Sequence, residues 1–156
     1  MTQIFVNRDF AEILQSLSAT SAEFMLVGAH ARAAYGIPRA TADIDIWVRA
    51  TPENALRVWK ALADYGAPLH DLTIDDLSHP GVVYQIGLPP YRIDILTEIS
   101  GVTFEEAWPN RMYGNFGGAT YPVIGREEFI RNKRAAGRSK DLADIGDGEQ
   151  LGRDPR

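Results

Sequence analysis

The chain has 156 residues, enough for one domain with a real core, and its 45% apolar and 24% charged residues are ordinary for a globular protein. The absence of cysteine excludes disulfides, cysteine nucleophiles and thiolate metal sites, and no run approaches the roughly 18 consecutive apolar residues of a membrane span. The net charge of −5 argues against broad, non-specific nucleic-acid binding.

Phe10, Ile13, Leu14 and Leu17 recur at helical spacing, so 8–19 reads as an amphipathic helix. Residues 24–27 read as a short buried strand that Gly28 ends, and 29–35 favours helix until Gly36-Ile37-Pro38 stops it. Residues 43–48 alternate as a strand. Thr51 as N-cap, with Pro52 and Glu53 in the first turn, opens a helix that ends near Tyr65-Gly66. A short helix is expected over 73–77, a turn at His79-Pro80-Gly81, and a hairpin of strands 82–86 and 91–96. Residues 104–108 suggest a short helix. The Gly- and aromatic-rich stretch 112–124 is expected to end in an edge strand over 120–124. Residues 126–136 read as a helix closed by Gly137, and Ser139 can cap a last one.

The order predicts an α+β, or mixed α/β, fold: a small mixed sheet of about five strands with helices packed around it. A single domain is expected over 1–145, with a flexible tail at 146–156. The N-terminus has no basic region before an apolar run, so no signal peptide is expected, and a cytoplasmic setting without membrane contact fits.

The chemistry centres on Asp43-Ile44-Asp45. Strand alternation puts the two aspartates on one face and Ile44 and Ile46 on the other. Carboxylates about 7 Å apart repel unless water or a cation intervenes, and hard oxygen donors select Mg²⁺ or Mn²⁺. An acidic surface face is the alternative. Asp94 lies between Ile93 and Ile95 in a second alternating strand, and pairing with 43–48 would bring it beside the other two acids. Otherwise it makes an exposed pair with Arg92. Val27-Gly28-Ala29 joins a strand to a helix where a phosphate could approach the backbone, although glycine is also a good turn residue. Trp47 shares the aspartate face and could stack on a base. His30, His70 and His79 have no metal-ligand spacing and read as turn or cap residues.

Segment 126–140 holds six cations against two anions, a net +4 that leaves −9 for the rest of the chain. Such a segment suits a bound phosphate or a solvated helix face.

Taken in order, hydrophobic-Gly-small, Asp-x-Asp, a lone strand aspartate and a basic helix, the chain resembles the DNA polymerase beta-like nucleotidyltransferase superfamily over about residues 20–145. The segment from Gly28-Ala29-His30-Ala31 to Asp43-Ile44-Asp45 is similar to a prokaryotic branch that includes the abortive-infection toxins of type IV toxin–antitoxin pairs. Lys133 with Lys140-Asp141-Leu142-Ala143-Asp144 is similar to that branch's Lys…Lys-Asp-x-x-Asp signature. The resemblance implies that Asp43 and Asp45 hold two Mg²⁺ ions, with Mn²⁺ as a substitute. Asp94 would share one of them and help activate an acceptor hydroxyl. Gly28 and Ala29 would meet a nucleoside triphosphate, with Lys133, Lys140 and Arg39 as phosphate contacts. Asp141 and Asp144 would orient those cations or the acceptor.

The implied reaction is in-line attack of a hydroxyl on the α-phosphate. The acceptor would be a tRNA end, a protein hydroxyl or a small molecule, and a partner chain or a homodimer would complete its cleft. The family usually carries Gly or Ser where Ala29 stands, so a hydroxyl contact to phosphate is lost while the backbone N–H remains. The alternatives are a non-catalytic protein of the same fold that acts by binding a partner, and an acidic domain whose aspartates are only surface residues.

Overall fold

Capping and periodicity set the elements. The structure, a computed structural model, describes residues 3–4, 6–36, 43–88 and 90–137. After the two-residue strand β1 (Gln3–Ile4), helix α1 (Arg8–Ala19) begins where the Asn7 side chain accepts the Phe10 N–H, and it buries Phe10, Ile13, Leu14 and Leu17. Strand β2 (Phe24–Val27) is buried along its whole length and runs directly into helix α2 (Gly28–Ala34). Strand β3 (Asp43–Val48) precedes helix α3 (Pro52–Tyr65), which has Thr51 as its capping acceptor and Gly66 in the left-handed conformation at its end.

A capping box closed by Thr73 and Asp76 starts the short helix α4 (Ile74–Leu77). His79 Nδ1 lies 2.8 Å from the Asp75 carbonyl at that helix's end, as its reading as a cap residue anticipates. The expected hairpin is present as β4 (Val83–Ile86) and β5 (Arg92–Leu96). Then follow α5 (Phe104–Ala107), a 3₁₀ turn over Trp108–Asn110, β6 (Met112–Phe116), β7 (Ala119–Val123) and α6 (Arg126–Ala136).

The fold is mixed α/β, as expected, but its sheet has seven strands rather than about five, in the order β1-β6-β7-β2-β3-β5-β4. The 112–124 region departs from the expected edge strand. Residues 112–116 form a strand, and β7 lies inside the sheet between β6 and β2 instead of at an edge. Gly117 and Gly118, both at positive φ, make the two-residue turn between Phe116 and Ala119. Pro122 is tolerated inside the sheet because the parallel ladder between β7 and β2 is registered only at Leu26 and Val123, with the Ile124 N–H donating to Leu26. The strand therefore needs no donor at Pro122.

One core joins the sheet to its helices. Ile44, Ile46, Ile93 and Ile95 are buried in the same cluster as the inner residues of α1 and α3. No helix among the described residues is long and apolar enough to cross a membrane. Ile95, fully buried on β5, is central to this packing. Ile95→Ala should cost about 2–5 kcal/mol by leaving a cavity. Urea denaturation measures it, and a loss below about 1 kcal/mol would mean that the β5 face is not packed as described.

Candidate active site

Register makes the site. Strands β3 and β5 are parallel, with Asp45 opposite Asp94 and Asp43 opposite Arg92. Side chains at paired positions share a face and lie roughly 5 Å apart, so the Asp45 and Asp94 carboxyls meet while Ile44, Ile46, Ile93 and Ile95 turn into the core. Asp94 is only 7% exposed. A hydrogen bond between the two carboxyls favours the protonated form of Asp45. Burial raises the pKa of Asp45 to about 6, reinforced by the Asp94 charge and that hydrogen bond, while Lys133 pulls the other way.

Arg92 is the second component. Its Nε donates to Asp94 Oδ1 at 3.1 Å, and its Nη2 reaches Asp43 Oδ2 at 3.3 Å and Asp94 Oδ2 at 3.5 Å. The guanidinium thus ties Asp43 to the Asp45–Asp94 pair. Among the described residues no group of three acids or histidines encloses a common point as they stand. The pairing read from the sequence as an exposed Arg92–Asp94 contact is real, but it extends to Asp43 and sits over a buried acid.

Gly28 is required twice at the start of α2. Its φ is +67°, and a Cβ there would collide with the Asp45 carboxylate. The chain therefore passes from β2 into α2 against the very acid that β3 presents. Ala29 follows in the first turn, which no side chain caps.

His30 was expected to be a turn or cap residue. It is instead 3% exposed within α2, edge-on to Phe10 at 5.6 Å and tilted against Phe116 at 6.2 Å. Burial depresses its pKa to about 4, opposed by a hydrogen bond with the Asp43 backbone. A neutral imidazole therefore links helix α2 to the first residue of β3.

Lys133 reaches the site from α6, close enough to act on the charge of Asp45. The helix is docked by its neighbours: Arg131 donates to the Gly101 carbonyl at 3.1 Å and to Glu106, and Asn132 donates to the Ser100 carbonyl at 3.0 Å. Tyr35 fixes the end of α2 through its hydroxyl, which donates to the Ile124 carbonyl at 2.6 Å. Trp47 does not offer a base-stacking surface. It is 1% exposed and packs edge-on against Phe104 at 5.0 Å. Alternation assigns its face correctly, but the loop and helix after β5 cover that end of the strand.

Asp43, Asp45, Asp94, Gly28 and Lys133 are thus brought together, with Ala29 beside Gly28. Arg39, Lys140, Asp141 and Asp144, together with the tail at 146–156, lie outside the described residues. Sequence reasoning missed His30 and gave Arg92 a smaller role. The position of Arg92 two residues before Asp94, on the same strand face, was the available signal. For His30, nothing but its closeness to Gly28 pointed to the site.

Two outcomes follow from these contacts. Gly28→Ala should destabilise the fold by about 1–3 kcal/mol and displace Asp45. Urea denaturation reads the first effect, and unchanged stability would mean that Asp45 does not press on this backbone. His30 excludes a proton in the native state that the unfolded chain accepts below its ordinary pKa of 6.5. Stability is therefore lost as pH falls from 6.5 towards 4, by up to about 3 kcal/mol from this group. His30→Gln should remove that component. Parallel stability–pH curves for wild type and variant would show that the imidazole titrates freely.

No family model matches the chain, and no curated protein does. Solved structures do. The lincosamide antibiotic adenylyltransferase LnuA, bound to lincomycin, superposes with a TM-score of 0.60 at 14% identity, covering 95% of this chain and 99% of its own. ANT(2″)-Ia in complex with adenylyl-2″-tobramycin gives 0.61 at 14% identity over 92% of this chain and 90% of its own. A Thermotoga maritima protein to which nucleotidyltransferase activity is ascribed gives 0.58 at 14% identity, over 94% and 89%. The chain has the fold of these nucleotidyltransferases.

Proposed function

We propose that the protein is a metal-dependent nucleotidyltransferase that moves a nucleoside monophosphate from a nucleoside triphosphate to a hydroxyl acceptor. The observation that carries this reading is the pairing of a half-buried Asp45, held against the Gly28 backbone, with a buried Asp94 in this fold. Three acids drawn together, with a guanidinium bonded to two of them, form a site that attracts positive charge. The donors are all carboxylate oxygens, which suits a hard divalent ion, Mg²⁺ with Mn²⁺ as a substitute. Asp43, Asp45 and Asp94 would hold it, and when bound it supplies Lewis-acid stabilisation of phosphate charge and a lowered pKa for the acceptor hydroxyl.

The chain's own groups do the rest. The uncapped N–H groups at Gly28 and Ala29 face the triphosphate, and Lys133 offsets its charge. Arg39, Lys140, Asp141 and Asp144 enter through the family resemblance as further phosphate and acceptor contacts. Asp94 receives the proton of the acceptor hydroxyl. The acceptor oxygen bonds to the α-phosphorus, the bond to the bridging oxygen breaks, and pyrophosphate leaves.

Two neighbours were solved with lincomycin and with an adenylylated tobramycin, which favours a small-molecule hydroxyl as the first acceptor class to test. The resemblance to the toxin–antitoxin branch keeps a tRNA end or a protein hydroxyl beside it, in the cytoplasm, with a homodimer or partner chain completing the acceptor cleft.

One observation favours the second reading, a non-catalytic protein of this fold that works by contact. Arg92 already neutralises part of the acidic site. Calorimetric titration with a non-hydrolysable nucleoside triphosphate, in Mg²⁺ and in EDTA, separates the two. Mg²⁺-dependent binding that disappears in Asp45→Asn is expected, with turnover reduced on the order of 10²–10³-fold once an acceptor is known. Absence of binding for every common nucleotide would favour the contact-only protein.

A further inference from the structure

We propose that Arg92 is a resident counter-ion of the three-aspartate site, holding it together until a divalent cation displaces the guanidinium. The inference rests on the reading of those aspartates as a metal site, and it concerns what the chain itself places there.

The geometry is specific. Arg92 stands opposite Asp43 in the β3–β5 register, two residues before Asp94 on its own strand, so alternation points its side chain to the acidic face. One guanidinium spans both acids: Nε reaches Asp94 Oδ1 at 3.1 Å, and Nη2 lies 3.3 Å from Asp43 Oδ2 and 3.5 Å from Asp94 Oδ2. Planar, always charged and able to donate in two directions, it suits a pair of carboxylates.

Removing this cation would leave Asp43 beside Asp94 and Asp45, three acids on one face of the sheet with less positive charge among them. A guanidinium and a divalent ion seek the same oxygens. While Arg92 occupies Oδ2 of both Asp43 and Asp94, those oxygens do not close round a smaller ion, and the described acids form no ready cage. Divalent binding is therefore coupled to rotation of the Arg92 side chain, which is 31% exposed and has solvent to move into.

This makes a prediction opposite in sign to that for a supporting residue. A residue that only braces Asp94 would lower metal affinity when removed, whereas a competitor raises it. The test is Mn²⁺ titration of the full chain, following the signal of free Mn²⁺ by electron paramagnetic resonance, together with the melting temperature in EDTA. In Arg92→Gln, Mn²⁺ should bind on the order of tenfold more tightly than in wild type, and the metal-free melting temperature should fall. Arg92→Lys keeps the charge but cannot span both acids, and it should fall between the two, which preserves the test if the glutamine variant does not fold.

In wild type the Arg92 Nε–H resonance, identified by its loss in Arg92→Lys, should shift on saturation with Mg²⁺. Equal or weaker Mn²⁺ binding in both variants would overturn the competitor role while leaving the metal site standing. Absence of Mn²⁺ binding in wild type and both variants would overturn the metal site and this role with it.

Discussion

Bringing two carboxyls into van der Waals reach inside a sheet is electrostatically unfavourable, and the β3–β5 register imposes it by setting Asp45 against Asp94. Much of the surrounding structure answers that constraint. The Asp45 pKa rises to about 6, and Arg92 sets a positive charge between Asp94 and Asp43. Lys133 on α6 contributes a second positive charge that acts on Asp45. Gly28 gives up a side chain so that the Asp45 carboxylate can rest on the backbone. A surface acid would not need such an arrangement, because water would screen it.

What the sequence makes legible is governed by range. The α1 stripe, the Asn7 and Thr51 caps, the β3 alternation and the β4–β5 hairpin are set by residues near one another in the chain. The meeting of Asp45 and Asp94 is non-local: it depends on a parallel pairing across forty-nine positions with α3, α4 and β4 between. The alternation of both strands shows only that such a pairing is allowed. Strand β6 was lost for the opposite reason. Gly114 and Asn115 dilute its local preference, and the pairing with β7 and β1 overrides it, although the Gly117-Gly118 turn was a usable hairpin signal.

Depth is the other quantity that sequence does not carry. Trp47 and Asp45 share a face of one strand, yet one ends beneath Phe104 and the other in the acidic site. His30 resembles a helix-start residue in sequence and proves to be a buried neutral imidazole between two phenyl rings. In each case a distant element decides: α5 covers Trp47, and β6 with α1 closes over His30. The basic helix shows the same limit. Arg131 and Lys133 look equivalent as charges, but Arg131 is engaged by Gly101 and Glu106 while Lys133 acts on Asp45.

These last contacts identify β5 as the element that organises the site. It carries Asp94 and Arg92 directly, and the loop that follows it holds α6 through the Ser100 and Gly101 carbonyls. Gly101 permits that approach, since a Cβ there would press on Ala135 at 2.5 Å and on the Arg131 carbonyl at 3.1 Å. The position of Lys133 is thereby tied to the same strand that sets Asp94. A shift of β5 against β3 would move an acid, its guanidinium and the opposing ammonium together, so their mutual spacing is better protected than their spacing to Asp45. Asp45 is in turn fixed by β3 on one side and by Gly28 on the other. The site is thus the seam between two bodies, β5 with α6 and β3 with α2, and its chemistry depends on one parallel register.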